Sequence, residues 1–320
     1  MREVSSEEYL EFVSKHNEVV VEDQVIKLKP IEVERLEPVS DELTDVSTTV
    51  WSYPKRGSWA THKGNYRGNW APQIPRALTL MYTKKGDTIL DPMIGSGTTC
   101  IEAKLLGRNC IGVDINYNAV ILTLHRLYWL EEGIKRLARS MLVPYAVNGV
   151  TLDDVIRASV HIYHGDAREL DLIKDGSVDA VFTHPPYWNI IEYKGSECNP
   201  GDLSCARSLE DYLKLMVGVS REIYSVLKPG GYAAILIGDT RIHKHYVPIS
   251  HRVLDVFLDA GFILKEEVIK VQHRMKTTRE VWQKLKDKGF LLIYHEKLFI
   301  FRKPEAGESL RNVKYSTKYS

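Results

Sequence analysis

The chain has 320 residues, 44% of them hydrophobic, and a formal net charge of +1, enough for one large α/β domain with a substantial core. It holds no apolar run long enough to span a bilayer, and Met1-Arg2-Glu3-Val4-Ser5 lacks the basic-then-apolar form of a secretion signal, which points to a cytoplasmic protein without a membrane partner. The near-zero balance hides an asymmetry: residues 1–50 carry 13 acids against 5 bases, and residues 51–320 carry 38 bases against 29 acids. A basic main body suits a polyanionic partner, and the acidic segment reads either as a solvated face or as a cover docked on that body.

Residues 1–50 are read as an acidic N-terminal appendage or a first strand pair, with a helical pattern at Tyr9, Leu10, Phe12 and Val13 and β-branched runs at Val19-Val20-Val21 and Val25-Ile26. From Trp51 to Trp70 the aromatic residues Trp51, Tyr53, Trp59, Tyr66 and Trp70 are interleaved with cations. Stacking faces combined with cations hold unpaired or extruded bases, so Lys55, Arg56, Trp59, Lys63 and Arg67 are candidate nucleic-acid contacts. An aromatic loop packed over a cofactor cleft is the other reading, and the two are compatible.

After a predicted helix over 76–82, the run Thr88-Ile89-Leu90 reads as a buried strand and Thr98 onward as a helix closed by Gly107, with Asp91-Pro92-Met93-Ile94-Gly95-Ser96-Gly97 as the turn between. Glycines at a helix N-terminus let an anionic or nucleotide-like ligand approach free N–H groups. A phosphate-cradling P-loop is excluded because no lysine follows Gly97, and the dinucleotide pattern G-x-G-x-x-G fails at Cys100. A second acid, Asp114, closes the next strand, Cys110-Ile111-Gly112-Val113, where a carboxylate can accept both hydroxyls of a ribose.

Helical regions over 119–130 and 131–157 lead to a third strand over 160–164, followed by Gly165-Asp166-Ala167. The fourth strand, 178–182, runs into Thr183-His184-Pro185-Pro186-Tyr187-Trp188, where two prolines stop the ladder and leave carbonyls free of intrachain partners. A polar stretch over 189–207 reads as a loop above the site. A helix over 209–227 stops at Lys228-Pro229-Gly230-Gly231 before a fifth strand, 232–237, and a further helix, 248–260, precedes strands over 262–271 and 291–301. Arg241 and His243, after the fifth strand, and Arg274, between the last two, are candidate nucleic-acid contacts or parts of solvated loops. The four cysteines, Cys100, Cys110, Cys198 and Cys205, contain no C-x-x-C pair and are read as reduced thiols; with His243 and His245 they match no zinc spacing, so no metal is expected.

The phrase Asp91-Pro92-x-x-Gly95-Ser96-Gly97-Thr98-Thr99 with Gly112-Val113-Asp114, together with His184-Pro185-Pro186-Tyr187, resembles motifs I, II and IV of the S-adenosylmethionine-dependent amino-methyltransferases of nucleic acids. Gly68-Asn69-Trp70-Ala71-Pro72 resembles their motif X, and the likeness covers most of residues 66–303. It implies a Rossmann-like, seven-stranded class I methyltransferase fold over residues 51–303, mostly parallel with a C-terminal antiparallel hairpin, and a polar tail over 304–320. It implies S-adenosyl-L-methionine as cofactor, with Asn69 and Pro72 at its methionine end and Asp91, Pro92, Met93, Gly95, Ser96, Gly97, Thr98 and Thr99 around the turn. Asp114 with Ile115 would meet the ribose, and Asp166 with Ala167 the adenine.

In motif IV of the family, the first side chain and the first proline carbonyl accept the two hydrogens of an exocyclic amine, and the aromatic stacks on the extruded base. Those positions are His184, Pro185, Pro186 and Tyr187 here, with Trp188 beside them as a further candidate nucleic-acid contact. The family usually has Phe where this chain has Met93, and Asp, Asn or Ser where it has His184. A neutral imidazole has one acceptor nitrogen, so activity is expected to fall as His184 is protonated across the usual histidine range. The substitution blurs the choice of base, and cytosine N4 is favoured over adenine N6. Without a separate recognition domain of around a hundred residues, reading a duplex is hard to arrange, whereas a small module recognises folded RNA by shape; RNA is favoured over DNA. A small-molecule methyltransferase and a catalytically silent RNA-binding subunit are the readings of other classes, and nothing in the sequence fixes an oligomeric state.

Overall fold

The computed structural model describes residues 1–21, 24–140, 146–188, 201–273, 283 and 289–318. Nine strands form one sheet: β1 (Arg2–Glu3), β2 (Val50–Ser52), β3 (Thr88–Asp91), β4 (Asn109–Asp114), β5 (Val160–His164), β6 (Val178–Thr183), β7 (Leu227–Ile237), β8 (Ile263–Val271) and β9 (His295–Arg302). Their spatial order is β1-β5-β4-β3-β6-β7-β9-β8-β2. The run from β5 to β7 is parallel, and β9 lies antiparallel between β7 and β8. Seven of these strands make the expected class I methyltransferase sheet, and the first fifty-two residues add a short strand at each edge.

The sheet is apolar on both faces because successive side chains alternate. Ile89, Ala234, Leu236, Leu298 and Ile300 face the core under α1 (Ser6–Lys15), α2 (Gln73–Tyr82), α3 (Thr98–Leu105) and α4 (Tyr117–Ser140). Leu90, Ala233, Ile235, Phe299 and Phe301 face the core under α6 (Leu209–Val226) and α7 (Ile249–Asp259), with α5 (Leu152–Arg157) between the two groups in the chain. Parallel strands thus end together at one edge, the place where open α/β sheets take their ligands.

Several elements differ from expectation. The helical pattern over 119–157 is one 24-residue helix, α4, and a short α5 capped by Thr151, whose side chain accepts from Asp154 N. Strand β7 begins at Leu227, because Pro229 and the glycines do not stop a ladder that shifts register between Val178 and Ala180 of β6. The acidic segment contributes β1, and Val4, Tyr9, Val19, Val21, Ile26, Val33 and Leu36 join the main core.

The cysteine reading is corrected: Cys100 and Cys110 form a disulfide across α3 and β4, and Cys205 is also disulfide-bonded. Packing of α3 on β4 brings the Cys100 and Cys110 Cα atoms to 5.3 Å, a separation at which bridging needs no backbone movement. The cysteines therefore carry no argument for a reducing compartment. Cys198 and Arg274 lie outside the described residues, as does most of the loop expected over 189–207. Among the described residues, no helix is long and apolar enough to cross a membrane, and no group of His, Cys, Asp and Glu side chains has the arrangement of a metal site.

Candidate active site

A cavity of about 320 Å³ opens where β3, β4, β5 and β6 end, and both glycine-rich and proline-rich segments line it. Gly95 and Gly97 have φ of 55° and 86°. A Cβ on Gly95 would stand 3.1 Å from the Tyr66 ring, and one on Gly97 would stand 3.0 Å from Thr123 Cγ2, so neither position accepts a side chain without displacement. Helix α4 braces this turn from behind. Thr123 Oγ1 donates to the Gly95 carbonyl (2.8 Å), and the buried Arg126 guanidinium donates to Ser96 O and Oγ (3.0 and 2.8 Å). Burial, aided by repulsion from Arg56, lowers the Arg126 pKa to about 9.

Three acids divide the rim. Asp91 is buried and accepts from Thr99 Oγ1 (2.5 Å), Thr183 Oγ1 (2.8 Å) and Met93 N (3.1 Å), so it ties β3, α3 and β6 together. Burial raises its pKa to about 6 despite those donors. Asp114 accepts one backbone N–H on each oxygen, from Gly95 (2.8 Å) and Asn116 (2.9 Å), which leaves further lone pairs for hydroxyl donors; burial raises it to about 7. Asp166 is held by Arg168, whose N and Nη2 lie 2.9 and 2.5 Å from its carboxylate.

Of the cofactor candidates, Asn69, Asp91, Pro92, Met93, Gly95, Ser96, Thr98, Asp114, Ile115, Asp166 and Ala167 line the cavity. Pro72 instead occupies the N-cap of α2, Gly97 forms the turn, and Thr99 points at Asp91, so these three act behind the surface. Asn69 Oδ1 accepts from Thr98 Oγ1 at 2.5 Å, which joins the motif X segment to the start of α3.

The proline-rich segment faces that turn across the cavity. His184, Pro185, Pro186 and Tyr187 all line it. The Pro186 carbonyl accepts from Tyr212 Oη (3.0 Å), whereas among the described residues nothing donates to the Pro185 carbonyl. His184 Nε2 lies 2.5 Å from Tyr187 Oη, its Nδ1 is buried without a well-formed hydrogen bond, and the Gly68 carbonyl also acts on the ring. Tyr187 Oη donates to Glu296 Oε1 (2.9 Å), and Lys270 Nζ donates to Glu296 Oε2 (2.8 Å). Trp70 stacks on the imidazole, with centroids 5.9 Å apart and planes 19° apart. Burial lowers the His184 pKa to about 4, and burial together with Glu296 holds the Tyr187 phenol well above its usual value. Burial works against the Glu296 charge, but Lys270, His184 and the Tyr187 hydroxyl together outweigh it and the carboxyl stays below its ordinary value. The Tyr187 ring lies against Gly238, where a Cβ would come within 2.5 Å of Cε2.

Two expected nucleic-acid contacts are corrected. Trp59 is 0% exposed and donates from Nε1 to Glu102 Oε1 (2.7 Å), so it cannot stack on a base. Arg56 spends Nη1 on the carbonyls of Asn69 and Trp70 (3.0 and 2.7 Å) and, with burial lowering its pKa to about 10, clamps the segment from behind. Lys55 pairs with Asp41 of the acidic segment (2.8 Å). Lys63 and Arg67 are exposed, and Arg67 lines the cavity. Trp188 is half-buried against the core under α6. Arg241 donates to the carbonyls of Leu291 and Lys244, and His243 is exposed at the tip of a hairpin.

Sequence reasoning missed Glu296, Lys270 and Arg168. A signal for the first existed: Glu296 and Lys297 directly precede the apolar run Leu298–Phe301 in one strand, and both are 7% exposed.

A mostly parallel sheet with β9 reversed between β7 and β8, a glycine turn over an acidic strand end and a proline-stopped strand facing it define a class I S-adenosylmethionine-dependent methyltransferase. The family model described as DNA methylase, for N6 and N4 methyltransferases, matches residues 3–123 and 178–320, and the chain belongs to that family. A second model, the RMKL-like methyltransferase domain, matches residues 64–199. Similar proteins include the tRNA (guanine(10)-N2)-dimethyltransferase of Methanothermobacter thermautotrophicus, 37% identical over 38% of this chain and 29% of that protein. Another is the type II methyltransferase M.SfiI of Streptomyces fimbriatus, 34% identical over 26% of this chain and 19% of that one, so the chain spans less than a third of either relative. Among solved structures, a Methanosarcina mazei SAM-dependent methyltransferase is 16% identical with a TM-score of 0.41, covering 70% of this chain and 96% of the other. Thermus thermophilus TrmN is 19% identical with a TM-score of 0.40, covering 74% and 50%.

Proposed function

We propose that the protein methylates the exocyclic amino group of a base in nucleic acid, cytosine N4 of a structured RNA, in the cytoplasm. The observation that carries this reading is the juxtaposition of His184-Pro185-Pro186 with the Gly95 turn and Asp114 around one cavity. The residues present fit S-adenosylmethionine: Asp114 has lone pairs left for ribose hydroxyls, and the α3 N-terminus with Arg126 behind it supplies positive potential for a carboxylate. Asn69 and Thr98 would hold the amino-acid end, and Asp166 with Ala167 the adenine side. Bound there, the cofactor supplies an electrophilic methyl group on a sulfonium.

The chain's own groups act on the acceptor. An exocyclic amine is conjugated with its ring, and its lone pair becomes available when both N–H groups are drawn toward acceptors. His184 and the Pro185 carbonyl are those acceptors. Trp70 and Tyr187 enclose the base, and Lys63 and Arg67 on the rim meet phosphates. Likeness to a tRNA methyltransferase supports RNA. DNA is the second reading, favoured by the likeness to type II methyltransferases.

The test is transfer of tritiated methyl from S-adenosylmethionine to total RNA and to genomic DNA from cells lacking the gene, followed by nucleoside mass spectrometry. N4-methylated cytidine from RNA is the expected product. Label confined to DNA would establish the second reading, and cofactor binding without transfer to either polymer would overturn both.

A further inference from the structure

His184 stands where the family has a carboxylate, amide or hydroxyl, and an imidazole can replace those groups only if its acceptor nitrogen faces the substrate. Which nitrogen that is depends on the partner of the other. The chain of contacts here runs His184 Nε2, Tyr187 Oη, Glu296 Oε1 at 2.5 and 2.9 Å, and it ends on Lys270, 2.8 Å from the second carboxylate oxygen. The strand register makes this end rigid, since Lys270 of β8 and Glu296 of β9 are direct partners in the antiparallel pair.

A phenol has one proton. Glu296, facing the Lys270 ammonium, is a bare carboxylate and takes that proton's hydrogen bond, so the Tyr187 oxygen has only lone pairs left for His184. Nε2 must then carry the hydrogen, and the free lone pair of the neutral ring falls on Nδ1. That atom is buried, makes no well-formed hydrogen bond and belongs to a residue lining the cavity; among the described residues the Gly68 carbonyl, which also acts on the ring, is the one backbone group competing for its proton. The opposite arrangement would leave Glu296 Oε1 without its donor and turn an N–H toward an amine that offers only N–H.

We propose that Glu296, acting through Tyr187, is a positioning residue that fixes His184 as the Nε2–H tautomer, so that Nδ1 is the acceptor for the substrate amine. The role as acceptor rests on the function proposed above; the tautomer itself does not. Tyr187 is thereby assigned a second task, coupling two residues, in addition to walling the base.

The test is a long-range proton–nitrogen correlation on the full chain labelled with 15N-histidine, with the His184 signals identified by their loss in His184→Asn. Wild type should show Nε2 protonated and Nδ1 bare. In Glu296→Gln, the amide donates to the Tyr187 oxygen, the phenol turns to His184, and the ring should shift toward Nδ1–H. In Tyr187→Phe, which leaves the Glu296–Lys270 pair intact and guards against a misfolded Gln variant, both tautomers should appear. Methyl transfer should fall roughly tenfold or more in kcat in either variant, with the cofactor KM within about twofold of wild type. A wild-type ring protonated on Nδ1, or variants that lose turnover with the tautomer unchanged, would overturn the proposal. A wild-type Nε2–H ring in a protein that methylates no nucleic acid would overturn the function and leave the tautomer standing.

Discussion

Burial takes the His184 pKa to about 4, so the neutral ring persists far into acid, although Glu296 and the Gly68 carbonyl work the other way and Lys270 and Arg56 add to the depression. The expectation that activity falls across the usual histidine range is therefore revised: at saturating cofactor, methyl transfer should stay flat from about pH 9 to about pH 5 and drop only below that. A decline already near pH 6.5 would contradict a buried neutral ring. The same burial acts on stability. A histidine whose folded value lies below its unfolded one is protonated first in the unfolded chain, so stability is lost as pH falls from about 6.5 toward about 4, and His62 and His125, also lowered by burial, add to the effect. Asp91 and Asp114, raised by burial, change stability in the opposite direction over the same interval, so the histidine loss is read as the difference between wild type and His184→Asn in urea unfolding at pH 7 and pH 5. Asp114 gives the opposite kind of signature. Its pKa of about 7 would be drawn down by ribose hydroxyls donating to the carboxylate, so cofactor binding should release protons and tighten as pH rises from about 6 to about 8. Calorimetry in buffers of different ionisation enthalpy measures that release, and Asp114→Asn should abolish it.

The helix after the glycine turn is anchored twice from below. Glu102 of α3 is 0% exposed and accepts from Trp59 Nε1, His62 Nε2 (both 2.7 Å) and Arg76 Nη1 (3.2 Å). The His62 hydrogen bond and the Arg76 charge, with Trp59, hold the carboxyl below its ordinary value against burial, and burial keeps His62 itself low. One acid thus fastens the aromatic segment and α2 to α3. Glu102→Ala should cost roughly 3–5 kcal/mol, because it strands buried donors, and should raise amide exchange across residues 56–70. The second anchor is the Cys100–Cys110 bridge, ten residues apart in sequence. Replacing both by serine should cost about 3 kcal/mol in urea unfolding, by the loop-closure entropy returned to the unfolded chain. These anchors also explain what was legible in the sequence. The Gly95 turn and the Pro185-Pro186 stop were legible because each constrains its own backbone. The charged strand pair Lys270–Glu296 and the cysteine pairing were not, because both depend on register and packing between distant segments. Trp59 misled for a related reason: an aromatic among cations looks the same whether its face meets a base or Arg76, whose guanidinium lies 5.9 Å over the ring.

At the scale of the molecule, the acidic segment closes the core that the main body leaves open. Seven of its apolar side chains, from Val4 to Leu36, are buried, worth on the order of 10 kcal/mol at about 1.5 kcal/mol each. That is comparable to the whole stability of a typical domain, about 5–15 kcal/mol, so a chain starting at residue 49 should show no cooperative thermal transition. A sharp transition at the full-length temperature would refute this. The loop from Asn69 to Trp70 reaches both halves of the cavity, holding Thr98 on one side and stacking on His184 on the other. Two ligands that both contact one loop are coupled to the extent that the first to bind holds it where the second needs it. Linkage makes the benefit mutual: the factor by which bound nucleic acid tightens the cofactor is the factor by which the cofactor tightens nucleic acid. The spent cofactor, lacking only the methyl, inherits that coupling, and its grip as an inhibitor should depend on how much nucleic acid is present.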